Sequence, residues 1–376
     1  MRVNHYLCRS EADWASVGSG FAGLPQLVLV FGQRELLPGF QAHLQKQFPG
    51  SHFLGCSTAG EISDTNVLDG SVTATLVSFD ATPLRLASHR PVSGDASREC
   101  GVRLAEDLLA PDLRHVFVLS DGLGVNGTEL VAGLRETLPA GVGITGGLAG
   151  DGSGFKETTV IADGPPTSGL VAALGFYGAA LQVGFGSLGG WDPFGPDRLI
   201  TRATGNVLYE LDGQPALALY KRYLGPHAAG LPATGLLFPL ELRTGESDQG
   251  GLVRTILAVN EEEGSMTFAG DMPEGSYARL MKANFDRLID GATGAATLAL
   301  GNPSIEAELA VLISCIGRKL VLQQRVEEEV EQVREVLGQR PVLTGFYSYG
   351  EISLHRPTAR CELHNQTMTI TTFCEA

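Results

Sequence analysis

Eight residues near the start of the chain, Gly55-Cys56-Ser57-Thr58-Ala59-Gly60-Glu61-Ile62, return 290 positions later as Gly345-Phe346-Tyr347-Ser348-Tyr349-Gly350-Glu351-Ile352. The shared frame is Gly-x-x-x-x-Gly-Glu-Ile. In both places an amphipathic helical stretch and a short apolar strand lead in, and a strand resumes about ten residues after the Glu. A duplicated strand-turn unit of this kind restricts the chain to an α/β fold built by internal repetition. It also predicts that the two turns meet around a common site.

The flanking patterns give the rest of the unit. Leu27-Val28-Leu29-Val30-Phe31 reads as a buried strand, 35–48 as a helix, Phe53-Leu54 as the strand entering the first turn, and 72–79 as a strand. The C-terminal copy runs in the same order: strand 309–313, helix 325–337 with Val326, Val330, Val333 and Leu337 on one face, entering strand Val342-Leu343, and a single exit strand over 361–372. A weaker middle copy comprises strand 116–119, helix 128–138, the turn from Val142 to Asp151, and strands 158–162 and 170–176; it lacks the Glu-Ile. The acid run Glu327-Glu328-Glu329 reads as a solvated helix face. Between the halves, 184–196 is too rich in Gly and Pro for regular structure, and Trp191 and Phe194 within it suggest a loop that covers something. A helix is expected after Pro215. The domain boundary falls near residue 200, giving 1–200 and 201–376.

Composition narrows the function classes. With 376 residues, 43% hydrophobic and 18% charged, and no apolar run near the ~18 residues of a membrane span, the chain is a soluble globular protein of about two domains. Arg2, His5 and Arg9 are not followed by an apolar segment, so no signal peptide is read and the cytoplasm is the default. A net charge of −15, with 27 scattered basic residues, argues against nucleic-acid binding and against acidic lipid surfaces. Cys8, Cys56, Cys100, Cys315, Cys361 and Cys374 form no C-x-x-C pair, which suits reduced thiols and makes structural zinc and covalent c-type haem poor readings.

Several constellations can carry chemistry. The glycines of the repeated turns let backbone amides face a ligand while Glu61 and Glu351 sit at strand ends, although a Glu that merely caps neighbouring amides would look the same. Tyr347 and Tyr349 alternate along one strand and make good pocket lining. Gly122-Leu123-Gly124-Val125-Asn126-Gly127 is a literal G-x-G-x-x-G between a strand and a helix. It lacks the acidic residue that should follow on the next strand, so a loop that needs glycines is the better reading than a dinucleotide site. Cys56 is a candidate nucleophile if it is partly exposed beside a base, with His52, His355 and His364 as the available imidazoles. Strand alternation through 361–372 puts His364 on the face of Met368 and Ile370, where it is either a satisfied core histidine or an axial haem ligand. Arg318, after a buried strand, can pair bidentately with a carboxylate or a haem propionate, or form a surface ion pair.

Together, Gly55 to Ile62, Gly146-Gly147-Leu148-Ala149-Gly150-Asp151, Ser314-Cys315-Ile316-Gly317-Arg318 and Gly345 to Ile352 resemble the signatures of the FIST family of bacterial sensory proteins, across nearly the whole chain. The resemblance implies a FIST N-type and a FIST C-type domain. It also implies a ligand-binding sensory role, not a catalytic one, reporting to a histidine kinase, a cyclic-di-GMP enzyme or a chemotaxis partner. Amino-acid-like ligands are the family's general proposal. Leu363-His364-Asn365-Gln366-Thr367-Met368-Thr369 is similar to the subgroup described as haem-containing nitric oxide sensors.

The expectation is therefore an α/β protein of two related halves, with mixed sheets flanked by helices and a ligand site where the repeated turns approach. Cys56, Ser57, Gly60, Glu61, Arg318, Tyr347, Tyr349 and Glu351 would line that site, with Trp191 as a further wall. In the haem reading His364 is the proximal ligand and Arg318 the propionate contact. In the metabolite reading Glu61 and Glu351 hold an ammonium and Arg318 a carboxylate. A Cys56-dependent hydrolase or transferase is the alternative of another class. The chain carries no kinase, methyl-accepting or GGDEF segment, so the output is expected to pass to a separate protein, and a homodimer is compatible with the sequence.

Overall fold

Strand alternation explains the architecture directly. In β2 (Leu27–Gly32), Leu27, Leu29 and Phe31 point one way and Val28 and Val30 the other, and both sets are buried. Such a strand has to be central, with something packed on each face. The computed structural model, which describes residues 1–91, 96–243, 251–301, 306–354 and 361–376, shows this arrangement three times.

The first repeat comprises β1 (Arg2–Cys8), β2, α1 (Leu37–Gln47), β3 (His52–Ser57), the short hairpin β4 (Glu61–Ser63) and β5 (Asn66–Leu68), and β6 (Val72–Ser78). The second comprises β7 (Leu84–His89), α2 (Ser97–Leu108), β8 (Leu113–Ser120), α3 (Gly127–Thr137), β9 (Gly143–Leu148), β10 (Val160–Ala162) and β11 (Val171–Tyr177). The third opens with β12 (Leu181–Leu188) and is then interrupted by an inserted body. That body holds β13 (Asp192–Pro193), β14 (Arg198–Thr204), β15 (Val207–Leu211), β16 (Gln214–Pro215), α4 (Ala216–Leu224), β17 (Leu240–Arg243), β18 (Leu252–Arg254), β19 (Ile256–Asn260), β20 (Ser265–Phe268) and β21 (Tyr277–Lys282). The third repeat resumes with α5 (Phe285–Leu300), β22 (Leu309–Cys315), α6 (Ile316–Leu322), α7 (Val326–Leu337), β23 (Val342–Ser348), β24 (Gly350–Leu354), β25 (Cys361–His364) and β26 (Met368–Glu375).

Each repeat sheet has the same order. An edge strand (β1, β7 or β12) pairs antiparallel with the last strand (β6, β11 or β26), which pairs antiparallel with the central strand (β2, β8 or β22). The central strand in turn pairs parallel with the entering strand (β3, β9 or β23). The far edge is closed by strands from another repeat: β10 joins β3, β24 and β25 join β9, and β4 and β5 join β23. The exchange is cyclic, so no repeat completes its own sheet. The middle copy, the faintest in sequence, is as complete a unit as its neighbours.

The inner faces of the three sheets meet in one core of Leu27, Leu29, Phe31, Phe117, Leu119, Leu309, Val311 and Ile313, while α1, α2 with α3, and α5 with α7 cover the outer faces. The inserted body has its own core, around Leu208, Leu217, Tyr220, Leu240, Met266 and Phe268. Among the described residues no helix is long and apolar enough to cross a membrane.

Three sequence expectations are corrected here. The first part of the Gly-rich stretch, 184–188, is not irregular: it belongs to β12, which pairs along its whole length with β26, whereas most of 189–196 lies outside regular structure. Its glycines are there because α5 lies directly against it, so that a Cβ at Gly184 or Gly186 would strike the carbonyl of Ala299 or Ala295. The exit strand 361–372 is two strands in different sheets, broken at Gln366, whose φ of 63° lies in the left-handed region. The alternation used to place His364 therefore does not run through. Within the acid run, Glu329 is buried on the inner face of α7 beside Val326, Val330 and Val333, not solvated.

Candidate functional site

The repeated turns do converge, but on a packed interior. Gly55, Gly146 and Gly345 occupy equivalent places, and a Cβ on any of them would collide with the backbone of the parallel neighbour at Val30, Val118 or Leu312. The glycine is conserved in geometry by that close approach, whatever follows it. One residue on, Cys56 and Phe346 both enter the central core, where the Phe31 and Phe346 rings lie 4.8 Å apart. The void among the core side chains is only about 10 Å³, room for one water at most.

The two glutamates cap their own turns. Glu61 accepts from the hydroxyls of Thr58 at 2.6 Å and Ser71 at 2.6 Å and from the Ser71 amide at 3.2 Å. Glu351 repeats the pattern with Ser348 Oγ at 2.6 Å, Thr367 Oγ1 at 2.9 Å and the Thr367 amide at 3.2 Å. Burial raises both carboxyls, that of Glu351 to about 8, against the opposing effect of these hydrogen bonds. In the middle repeat the capping carboxylate comes from another position: Asp121, at the end of β8, accepts from Thr158 Oγ1 at 2.7 Å and the Gly169 amide at 3.1 Å.

Most of the other expected site residues are internal struts. Arg318 is fully buried and paired with Glu329, with Nη2 2.6 Å and Nε 3.0 Å from Oε2; it also donates to the carbonyls of Leu288 at 2.7 Å and Gly189 at 2.5 Å. Tyr347 donates to Glu329 at 2.6 Å and Ser314 does so at 3.0 Å. Arg318 is neither a surface ion pair nor open to a ligand, and Tyr347 is not a pocket wall. Trp191 is buried against Met281 and Leu288 and donates to the Gln366 carbonyl at 2.9 Å. Ser57 Oγ accepts from the Thr159 amide at 2.9 Å, and at Gly60 a side chain would meet Lys319. Burial pushes the Cys56 thiol well up, so the exposure and low pKa that a nucleophile needs are not met. His364 is buried with Nε2 3.0 Å from the Ser353 carbonyl. It is not among the residues that line the cleft described below. His355 lies outside the described residues.

The open site is elsewhere. A cleft of about 580 Å³ separates the second repeat from the inserted body, within the usual range for small-molecule sites, roughly 300–1,000 Å³. One wall is the Gly122–Gly127 loop with Leu148, the facing wall is Gly205, Asn206, Leu257 and 268–271, and Phe155 and Tyr349 close one side. Of the eight large apolar side chains exposed among the described residues, Leu123, Phe155 and Leu257 gather here. Phe155 stacks on Tyr349 at 4.4 Å with ring planes 13° apart. Its backbone has φ 49°, unusual for a bulky residue. Asp151 fixes that turn by accepting from the amides of Phe155 at 2.7 Å, Lys156 at 2.7 Å and Glu157 at 2.9 Å, and it also binds the Tyr349 hydroxyl. Asn126 Nδ2 bridges the cleft's walls to Asp271 Oδ1 at 3.2 Å, and beside the cleft the buried Arg254 of the inserted body donates to the carbonyls of Asp271 at 3.2 Å and of Leu363 on β25 at 2.9 Å.

The FIST N domain matches residues 26–214 and the FIST C domain residues 216–353. The chain belongs to the FIST family. FIST domains are sensory, ligand-binding domains of signal transduction. In this FIST protein the cleft draws its glycine loop from the FIST N part and Leu257, Phe268, Asp271 and Tyr349 from the FIST C part. The chain is 24% identical over 326 residues to an uncharacterized protein of Methanocaldococcus jannaschii, covering 80% of this chain and spanning 60% of that protein's length. Among solved structures it is similar to a cyanuric acid hydrolase described as an evolutionary innovation by structural concatenation, at 10% identity and TM-score 0.36, covering 100% and 99% of the two chains. Cyanuric acid hydrolase from A. caulinodans is similar at 8% identity and TM-score 0.38, covering 100% and 98%.

Of the residues that the sequence places at the ligand site, only Tyr349 lines the cleft. The Gly122–Gly127 motif was noticed, but as a dinucleotide signature that failed. Phe155, Leu257 and Asp271 carry no sequence signal, because exposure at a junction between bodies leaves no periodicity.

Proposed function

We propose that this FIST protein is a sensor for a small metabolite, bound in the cleft between the second repeat and the inserted body. The observation that carries this is the convergence of Leu123, Phe155 and Leu257, exposed and apolar, in a concave space between two separately cored bodies. A ligand touching both walls has different contacts in an open and a closed arrangement, so its binding free energy biases their relative position. The Asn126–Asp271 and Arg254–Leu363 bridges are the contacts such a shift would remake. The moved surface would be read by a separate histidine kinase or cyclic-di-GMP enzyme, and the role is binding without catalysis.

A haem-based nitric oxide sensor built on His364, or a Cys56-dependent enzyme, gains no support from the geometry of those side chains. A Soret band that appears when the protein is purified with haem supply and is lost in His364→Ala would replace our reading with the first of them.

The test is a thermal-shift screen of uncharged, cationic and amino-acid metabolites on wild type and on Ala269→Phe, which fills the cleft, with Leu123→Trp as a second blocking position. A ligand at 100 times its Kd adds about 2.7 kcal/mol. Hits abolished by both variants support the cleft, and hits that persist in both remove it.

A further inference from the structure

Taking the cleft as the ligand site, we infer that it selects an amine with a planar apolar body and rejects ligands that carry a carboxylate or phosphate.

The glycine-rich loop has the sequence form of an anion cradle but not its function. An anion needs open backbone amides. Here the protein's own oxygens hold the amides of Gly122, Leu123, Gly124 and Asn126. Asp121 Oδ1 accepts from the amides of Leu123 at 3.0 Å and Gly124 at 2.6 Å, and Thr158 Oγ1 accepts from Gly122 at 2.9 Å. Ser97 Oγ accepts from the Asn126 amide at 3.0 Å. Asn126 Oδ1 takes the amides of Thr128 at 3.0 Å and Glu129 at 3.2 Å, which open α3. Asp121 is buried, and its other oxygen is held by Thr158 and Gly169, so the carboxylate is locked where a phosphate would sit.

Side chains point the same way. Among the described residues that line the cleft there is no Lys, Arg or His, whereas Glu129 and Asp271 are both present. The nearby guanidiniums are already engaged: Arg98 lies 3.6 Å from Glu129 and also pairs with Glu136, and the buried Arg254 is turned to main-chain carbonyls. An anionic ligand would leave its charge unpaired beside two carboxylates. An ammonium would find acceptors.

Phe155 supplies the platform. Tyr349 covers one face of its ring, and the residue is 40% exposed. A planar body stacks on such a face, and a cation beside it is attracted to the ring.

Three phenyl probes that differ only in the polar end test this: phenethylamine, phenethyl alcohol and 3-phenylpropionate, titrated calorimetrically into wild type, Glu129→Gln/Asp271→Asn, Phe155→Ala and Ala269→Phe. Phenethylamine should bind about tenfold or more tighter than the alcohol, in line with a charge-assisted contact, and 3-phenylpropionate weakest. The charge-neutralised double variant should erase the amine's advantage while leaving the alcohol unchanged, and Phe155→Ala should weaken both. Equal or tighter binding of 3-phenylpropionate, no binding by any probe, or an amine preference unchanged in Glu129→Gln/Asp271→Asn overturns the assignment. If the preference fails but binding is still lost in Ala269→Phe, the cleft stands without its charge selectivity. Binding indifferent to Ala269→Phe removes the cleft as well.

Discussion

The Arg318–Glu329 cluster and the cleft are both rich in functional-looking side chains, yet they differ in what those side chains already hold. Arg318, Glu329, Ser314 and Tyr347 satisfy one another with no exposure to solvent. Their pairing joins α6, α7, β22 and β23, and nothing is left over for a ligand. In the cleft, Leu123, Phe155 and Leu257 stay exposed although the same chain buries dozens of comparable side chains. A polar cluster that is complete is structural, and an apolar set left open in a concavity is where binding free energy remains available.

The largest effect should come from breaking the closed cluster. Arg318→Ala leaves Glu329 as an unpaired buried charge and should destabilise the fold by about 3–5 kcal/mol, read from urea unfolding, with Arg318→Met/Glu329→Gln recovering most of the loss. Loss of ligand binding in Arg318→Ala at unchanged stability would break the contrast. Next, Gly146→Ala forces a side chain onto the Val118 backbone and should cost about 1–3 kcal/mol, measured by the same unfolding curve. Such a loss would confirm that the repeated glycines serve strand approach.

A pH-dependent effect is expected at Glu351. Its carboxyl is raised by burial to about 8 in the fold, so it is neutral there over a range in which it ionises in the unfolded chain. Its contribution to stability is therefore complete below the unfolded value of about 4.5 and is lost progressively as pH rises toward 8. Unfolding midpoints from pH 5 to 9 should fall for wild type and stay flatter for Glu351→Gln over that range. The smallest stability effect belongs to the cleft: Phe155→Gly removes a left-handed non-glycine residue and should change stability by less than about 1 kcal/mol. The same substitution should weaken any cleft ligand about tenfold or more. A large stability loss without loss of binding would put Phe155 with the struts.

The α/β class, the central strands, their helices and the repetition were legible because each rests on local patterning: period two in Leu27 to Phe31, period 3.6 in Val326 to Leu337. The rank of the middle copy was harder to read. Its turn lacks the Glu because Asp121, on another strand, supplies the capping carboxylate. Several residues expected at the site are internal struts, for the same physical reason that makes them conspicuous in the sequence. Turns rich in Gly, Glu and Tyr look like ligand cradles, but Glu351 caps Thr367 and Tyr347 holds Glu329.

The sequence alone thus determined the central strands and helices of the repeats and that they recur, since those choices depend on neighbours within a turn or two; β12 and the break at Gln366 were not among them. Only the tertiary structure decided that β4, β10 and β24 complete each other's sheets, that Arg318 is sealed against Glu329, and that Leu123, Phe155 and Leu257 share a cleft. The sheet exchanges join residues more than a hundred positions apart, and even Arg318 and Glu329, 11 positions apart, meet from two different helices, so no local periodicity records them.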